Sequence, residues 1–314
     1  MNISLLVPTK DRPLYVKRLL KYYSDLNFKG YIYILDGSNK KISKNIINFI
    51  KQLNNKKIIY FHDVGFPSMI TKKYVSKVKT DYVAQLGDDD YLIPDGIKEC
   101  IKFLDTNPDF SAAHGEGIIV ISSEDPNKID YIDLYAQTVR LENSSKERVF
   151  QHLSDNTQPN FSVFRKKTFE KILSPIPNFE DSELCPNRGI SDYLIQNTMS
   201  VVCTKVKEIS GLYIVRQITS VEFEYLHHRK GKDFDKSINY FIQKISNVIC
   251  EIESLKYDEV QEHVKKGLNN YLNPKLKKIL KSNINLSDLH KNPNHPFYGA
   301  FLTVYNSIIG GIKL

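Results

Sequence analysis

The stretch DYVAQLGDDDYLIPDG, residues 81–96, decides how this chain reads. Residues 82–86 form a short apolar run of the kind that fills a buried strand. Three consecutive carboxylates, Asp88, Asp89 and Asp90, follow at once. Pro94-Asp95-Gly96 then opens a helical pattern marked by Ile97, Ile101 and Leu104. Like charges this close raise one another's pKa unless a cation neutralises them. A hard divalent ion such as Mg2+ takes a few carboxylate oxygens and completes its shell on the phosphates of a substrate. The pattern therefore predicts a metal bridging the protein to a diphosphate. The competing reading is a solvated acidic turn that caps the next helix.

Outward from this stretch, strands and helices alternate. Ile3 to Val7 is a continuous apolar run closed by Pro8, and Leu14 to Leu26 has helical spacing. Tyr31 to Leu35 is a second strand, stopped by the turn residues Asp36-Gly37-Ser38, and Ile42, Ile46, Ile50 and Leu53 lie on one helix face. Ile58 to Phe61, a helix over 70–78 and a strand over 117–121 continue the series. Strands separated by helices imply βαβ units, hence an α/β fold with a mostly parallel sheet and right-handed crossovers. Residues 122–160 are polar and irregular and predict a long loop or a short excursion. A strand over 160–164, a helix over 166–172, an acidic loop over 174–189, a helix from Ser191 and a strand or hairpin over 206–215 follow. From about 233 onward the pattern is helical. The expected organisation is a catalytic region over 1–230 and a C-terminal helical extension over 231–314, with the charged run 227–232 as the linker.

With 44 basic and 36 acidic residues the net charge is +8, a mild excess that most often lies on solvated surface and gives no reason to expect nucleic acid. No run approaches the roughly 20 apolar residues of a membrane span. The first residues, MNISLLVPTKDRP, lack the basic start and long apolar core of a signal peptide. Cys100, Cys185, Cys203 and Cys250 are far apart, without the CxxC spacing of a zinc site, and fit a reduced, cytoplasmic protein.

Three polar clusters follow apolar strands: Thr9-Lys10-Asp11-Arg12, Asp36-Gly37-Ser38 and Gly87-Asp88-Asp89-Asp90. In an open parallel sheet, ligands bind beyond the carboxyl ends of the strands. All three clusters are thus expected on one rim.

Taken together, VPTKDRP (7–13), ILDGS (34–38), DYVAQLGDDDYLIPDG (81–96), ISDYLIQ (190–196) and GLYIVRQ (211–217) resemble a glycosyltransferase of the GT-A fold, similar to family 2. The resemblance spans roughly residues 1–225. It implies a Rossmann-like sheet flanked by helices and a nucleotide-sugar donor, with UDP as the family's common nucleotide. Pro8, Thr9, Asp11 and Arg12 in the first turn, and Asp36 after the second strand, then hold the nucleotide.

The family's Asp-x-Asp metal motif falls on Gly87 and Asp89, so the first Asp is missing here. Asp88 is expected on the ribose, Asp89 as the ligand of Mg2+ or Mn2+, and Asp90 as its support. Asp192 takes the place of the general base, with Ser191 where the family has Glu. Asp181 is a rival base, and plain helix capping is a third role for Asp192. Arg216 suits a diphosphate. His114 either lines an acceptor pocket or belongs to the core.

These residues imply an inverting transfer onto a hydroxyl of a glycan or lipid-linked acceptor, in bacterial surface polysaccharide synthesis. The alternatives are a degenerate module that binds a nucleotide sugar or membrane without turnover, and a sugar nucleotidyltransferase. The last is disfavoured because PTKDRP carries no glycine for a phosphate loop. In the tail, Lys265, Lys266, Lys275, Lys277, Lys278 and Lys281 precede the uncharged PFYGAFLTVYNSIIGGI (296–312). This predicts either a peripheral contact with the inner face of the membrane or a helix docked on the catalytic region.

Overall fold

The computed structural model describes the chain apart from residues 123–124, 138, 156–157, 220–231, 274–285, 287 and 311–314. Strands β1 (Ile3–Thr9), β2 (Tyr31–Asp36), β3 (Ile58–His62) and β4 (Tyr82–Gln85) lie parallel in the order β3-β2-β1-β4. Helices α1 (Pro13–Asp25), α2 (Lys40–Leu53) and α3 (Pro67–Tyr74) connect them. Then come β5 (Tyr91–Leu92), α4 (Pro94–Thr106), β6 (Ala112–Ser122), β7 (Tyr131–Tyr135), α5 (Ser145–Asp155), β8 (Val163–Arg165), α6 (Lys166–Leu173), α7 (Ile195–Cys203) and β9 (Val206–Thr219). The sheet continues β4-β8-β6-β9-β5, with β7 on β6. β8 is antiparallel to both its neighbours, and β6 pairs parallel with β9. The result is a mixed, mostly parallel sheet of the expected α/β class.

Strand alternation sorts the core into two layers. Ile3, Leu5 and Val7 of β1, Ile32 and Ile34 of β2, and Tyr82 and Ala84 of β4 pack with α1, α2 and α4. Leu6, Tyr33, Leu35 and Val83 point the other way, onto α3, α6 and α7. Each rim loop turns into its helix with little slack. α1, α3 and α4 begin at Pro13, Pro67 and Pro94, where the missing N–H costs nothing and φ is preset. Asn39 caps α2, accepting from the Lys41 and Ile42 amides at 3.1 and 3.2 Å.

Two local expectations need correction, and a third is narrowed to one of its alternatives. Residues 122–160 are not one loop: β7 pairs along β6, and α5 packs on α7. β7 is only five residues long and α5 carries just Val149, Phe150 and Leu153 as apolar residues, so neither element announces itself by periodicity. Residues 159–161 form a 3-10 turn, and β8 starts only at Val163. The segment from Val206 is a single 14-residue strand, bulged against Gly115–Gly117.

α8 (Lys232–Glu253) and α9 (Tyr257–Leu272) share the second core layer through Phe241, Ile245, Val260 and Val264. α10 (Tyr298–Gly310) inserts Phe301, Val304 and Ile308 into the first, against α1 and β9. The linker run, apart from Lys232, and Lys275, Lys277, Lys278 and Lys281 lie outside the described residues, while Lys265 and Lys266 are exposed on α9. No described helix is long and apolar enough to cross a membrane.

Because Phe301 is fully buried, Phe301→Ala is expected to cost about 3–5 kcal/mol of stability. Urea denaturation checks this, and a loss below about 1 kcal/mol would mean that α10 is not docked.

Candidate active site

The acid turn is pinned at both ends. β4 enters it from the middle of the sheet, and β5 leaves it paired with Ile214 and Val215 of β9. All three carboxylates are withdrawn from water, with 3%, 4% and 1% of Asp88, Asp89 and Asp90 exposed. Cations from both ends of the catalytic region meet them. Arg12 Nη1 lies 3.3 Å from Asp88 Oδ1, and Nη2 bonds Asp89 Oδ2. Thr9 Oγ1 donates to Asp88 Oδ2 at 2.5 Å. Arg216 Nε sits 3.4 Å from both Asp90 oxygens and Nη1 donates to Gln158 at 2.7 Å, while the guanidinium lies over Phe161 and Tyr135 at 4.5 and 5.1 Å. Burial, only partly offset by Arg12, pushes Asp88 up to about 7. Burial against the pull of Arg216 pushes Asp90 up to about 6.

Gly87 stands where the first Asp of the motif is expected. A side-chain carbon there would meet Asp89 Oδ1 at 2.6 Å and Asp90 Oδ2 at 3.1 Å. Two carboxylate oxygens therefore converge on the space that a larger residue would fill. Such a donor set fits a hard divalent ion that takes few protein oxygens and completes its shell elsewhere. Among the described residues no group of three His, Cys, Asp or Glu side chains could hold a metal. The remaining ligands would have to come from phosphate and water.

The first two rim loops are tied to each other. Asp11, in the left-handed region at φ 58°, donates its N–H to Ser38 Oγ at 2.7 Å. Its carboxylate accepts from the Asn39 backbone N–H at 3.4 Å. Asp36 is wholly buried. Its carboxylate accepts from the Ser38 amide at 2.8 Å and from Tyr60 Oη at 2.6 Å, so it shapes the loop from inside. Pro8 is half-buried in β1.

Asp192 lies in a π-helical turn, Gly189–Leu194, that runs into α7. Its helix thus begins earlier than Ser191, and Asp192 does not cap it. It reaches instead to the start of α3, where Oδ1 accepts the Ser68 amide at 3.2 Å and the Ser68 hydroxyl. Amides at a helix start have no partner within their own helix and carry the positive end of its dipole, so a carboxylate is favoured there. Arg188 Nε approaches Oδ2 at 3.3 Å. Burial nevertheless raises Asp192 above the usual carboxylate range.

Two bridges join this turn to the acid turn. Gln85, at the end of β4, and Gln196, one turn after Asp192, form a buried amide pair with bonds of 2.8 and 3.3 Å. Asn197 Oδ1 accepts from the Asn160 amide at 3.2 Å, and Asn160 sits beside Gln158, the partner of Arg216. Asp181 and Glu180, by contrast, stand exposed on the turn Phe179–Leu184. His114 is fully buried in β6. Ser68, Gln85, Gln158, Phe161 and Tyr135 escaped the sequence reading. They act on partners 55 to 124 positions away, and none carries a local motif.

Residues 4–173, more than half of the chain, match the family described as Glycosyl transferase family 2. Among solved structures, residues 1–349 of S. aureus TarS share the fold at 14% identity and a TM-score of 0.53, over 98% of this chain and 81% of that one. The same protein in complex with UDP-GlcNAc aligns at 13% identity and a TM-score of 0.54, over 98% and 82%. Its complex with UDP aligns at 12% and 0.52, over 98% and 89%. No curated protein sequence matches the chain. A GT-A-like sheet with a buried acid turn after its fourth strand, and a family match across that region, make this chain a glycosyltransferase that belongs to glycosyl transferase family 2.

Proposed function

We propose that the protein transfers a sugar from a UDP-sugar to a hydroxyl of a glycan or lipid-linked acceptor, with inversion, in surface polysaccharide synthesis. The observation that carries this reading is the physical joining of the buried acid turn to the turn that holds Asp192. The TarS complexes with UDP and UDP-GlcNAc support the choice of nucleotide. The four free cysteines fit a cytoplasmic setting. The catalytic groups fall within residues 1–230, and the helices of 231–314 cover the sheet.

Pro8, Thr9, Asp11 and Arg12 line the nucleotide end, Asp36 acts on it only through the loop that it shapes from inside, and Asp88 is offered to the ribose. Arg12 and Arg216 present guanidiniums whose fork geometry suits a diphosphate. Asp89 and Asp90 would hold Mg2+ or Mn2+, whose charge stabilises the leaving diphosphate. Asp192 accepts the proton of the acceptor hydroxyl while that oxygen bonds to the anomeric carbon. The carbon–oxygen bond to the diphosphate breaks at the same time, and its electron pair leaves with the diphosphate. Ser68 and Arg188 hold Asp192 in place and favour its ionised form, which a base requires.

Incubation with a panel of UDP-sugars and Mn2+ is expected to release UDP for at least one donor and to stop on chelation with EDTA. Neither binding nor release across the panel would remove the reading. Asp192→Asn is expected to lower kcat about 10²–10⁴-fold while calorimetry shows donor affinity nearly intact; loss of both would assign Asp192 a structural role.

The raised pKa of Asp192 also sets a pH dependence. The base is lost as pH falls through a value above the ordinary carboxylate range, so kcat/KM declines on the acid side there. Ser68→Ala removes a hydrogen bond to the ionised form and is expected to move that limb to higher pH. An unmoved limb would separate Ser68 from the titrating group.

A further inference from the structure

The turn Pro159–Phe161 lies between the two halves of the candidate site. On one side Gln158 accepts from Arg216, and the Phe161 ring lies under the same guanidinium. On the other, the Asn160 backbone amide is fixed to Asn197, whose own side chain donates to the carbonyl of Tyr193 at 2.9 Å, next to Asp192. The turn therefore spans the distance between the group assigned to the diphosphate and the group assigned to the acceptor proton.

Asn160 carries an unanswered polar atom at this place. It is 3% exposed, and its side-chain Oδ1 is shut off from water without a hydrogen-bond partner among the described residues. A buried amide oxygen left unpaired is unfavourable, and native folds retain few such groups without a reason. The Asn160 backbone amide is already fixed to Asn197. An amide offers an acceptor at one end and a donor at the other, and rotation about its last torsion exchanges them. A sugar hydroxyl both donates and accepts, and so satisfies either end. A phosphate or carboxylate only accepts and cannot satisfy the oxygen.

We propose that Asn160 is a specificity-determining residue that reads a hydroxyl of the transferred sugar. This assignment rests on the glycosyltransferase reading of the cleft and adds to it the residue that distinguishes one hexose from another. Sites built to bond a hydroxyl discriminate strongly against substrates that lack it or misplace it, because the polar group is then left unpaired.

The test is calorimetric titration of the wild type and of Asn160→Ala with UDP, UDP-glucose, UDP-galactose and UDP-N-acetylglucosamine, each with Mn2+, alongside kcat/KM for each donor. UDP affinity is expected to be equal in the two proteins. Affinity and kcat/KM for the preferred UDP-sugar are expected to fall about tenfold or more in the variant, and the preference among epimers to narrow. Asn160→Ser, which keeps a hydroxyl, is expected to recover part of the loss. The melting temperature is expected to hold, because the substitution removes no hydrogen bond made by this side-chain oxygen.

Unchanged affinity and unchanged kcat/KM for every UDP-sugar would overturn the assignment. A fall in UDP affinity equal to that for the sugars, or a drop of several degrees in melting temperature in both variants, would also overturn it by marking a structural role. Wild-type protein that binds UDP but no UDP-sugar would overturn it too, while leaving the nucleotide site standing. Failure to bind UDP at all would instead take down the reading of the cleft itself.

Discussion

Three adjacent carboxylates cannot be withdrawn from water together unless positive charge is brought to them. Here that charge arrives from opposite ends of the catalytic region, Arg12 from the first rim loop and Arg216 from the last strand. Much of the architecture can be seen as the means of holding this meeting. β4 delivers the turn from the centre of the sheet, and β5 clips its far end to β9, the strand that carries Arg216. The aromatic rings of Phe161 and Tyr135 fix the second guanidinium from its faces. Even so, burial outweighs the two arginines and holds Asp88 and Asp90 above the usual carboxylate range.

The departures from the family pattern become intelligible in the same terms. Gly87 does not weaken the acid turn. It opens the space on which Asp89 and Asp90 converge. Asp192 loses the neighbouring Glu of the family and is steadied by Ser68 and Arg188 instead. A carboxylate set against the start of a helix is oriented and electrostatically supported without any second acid nearby. The amide pair Gln85–Gln196 ties the Asp192 turn to the acid turn, because strand alternation aims Gln85 at the face where α7 packs.

The C-terminal helices extend the two core layers rather than forming one of their own. α8 and α9 close the face that carries α7, and α10 closes the opposite face against α1. Supporting the Asp192 turn from behind is a plain physical use for them: Ser237 of α8 accepts from the Asn187 amide, two residues before that turn.

Sequence alone determined the elements whose signal is local. Apolar runs of four to five residues marked β1 to β4, helical spacing marked α1, α2 and α4, and charge crowding at Asp88, Asp89 and Asp90 marked the centre of the site. Each depends only on neighbours a few positions away, so each is legible in one chain. Residues 122–160 were not, because β7 and α5 owe their existence to the surfaces they cover and carry little periodicity themselves. The partners of the site groups were decided by tertiary structure alone. Arg216 meets Asp90 across 126 positions and Ser68 meets Asp192 across 124. Such contacts are set by strand order and by which face of the sheet a helix packs on, and no spacing along the chain encodes them.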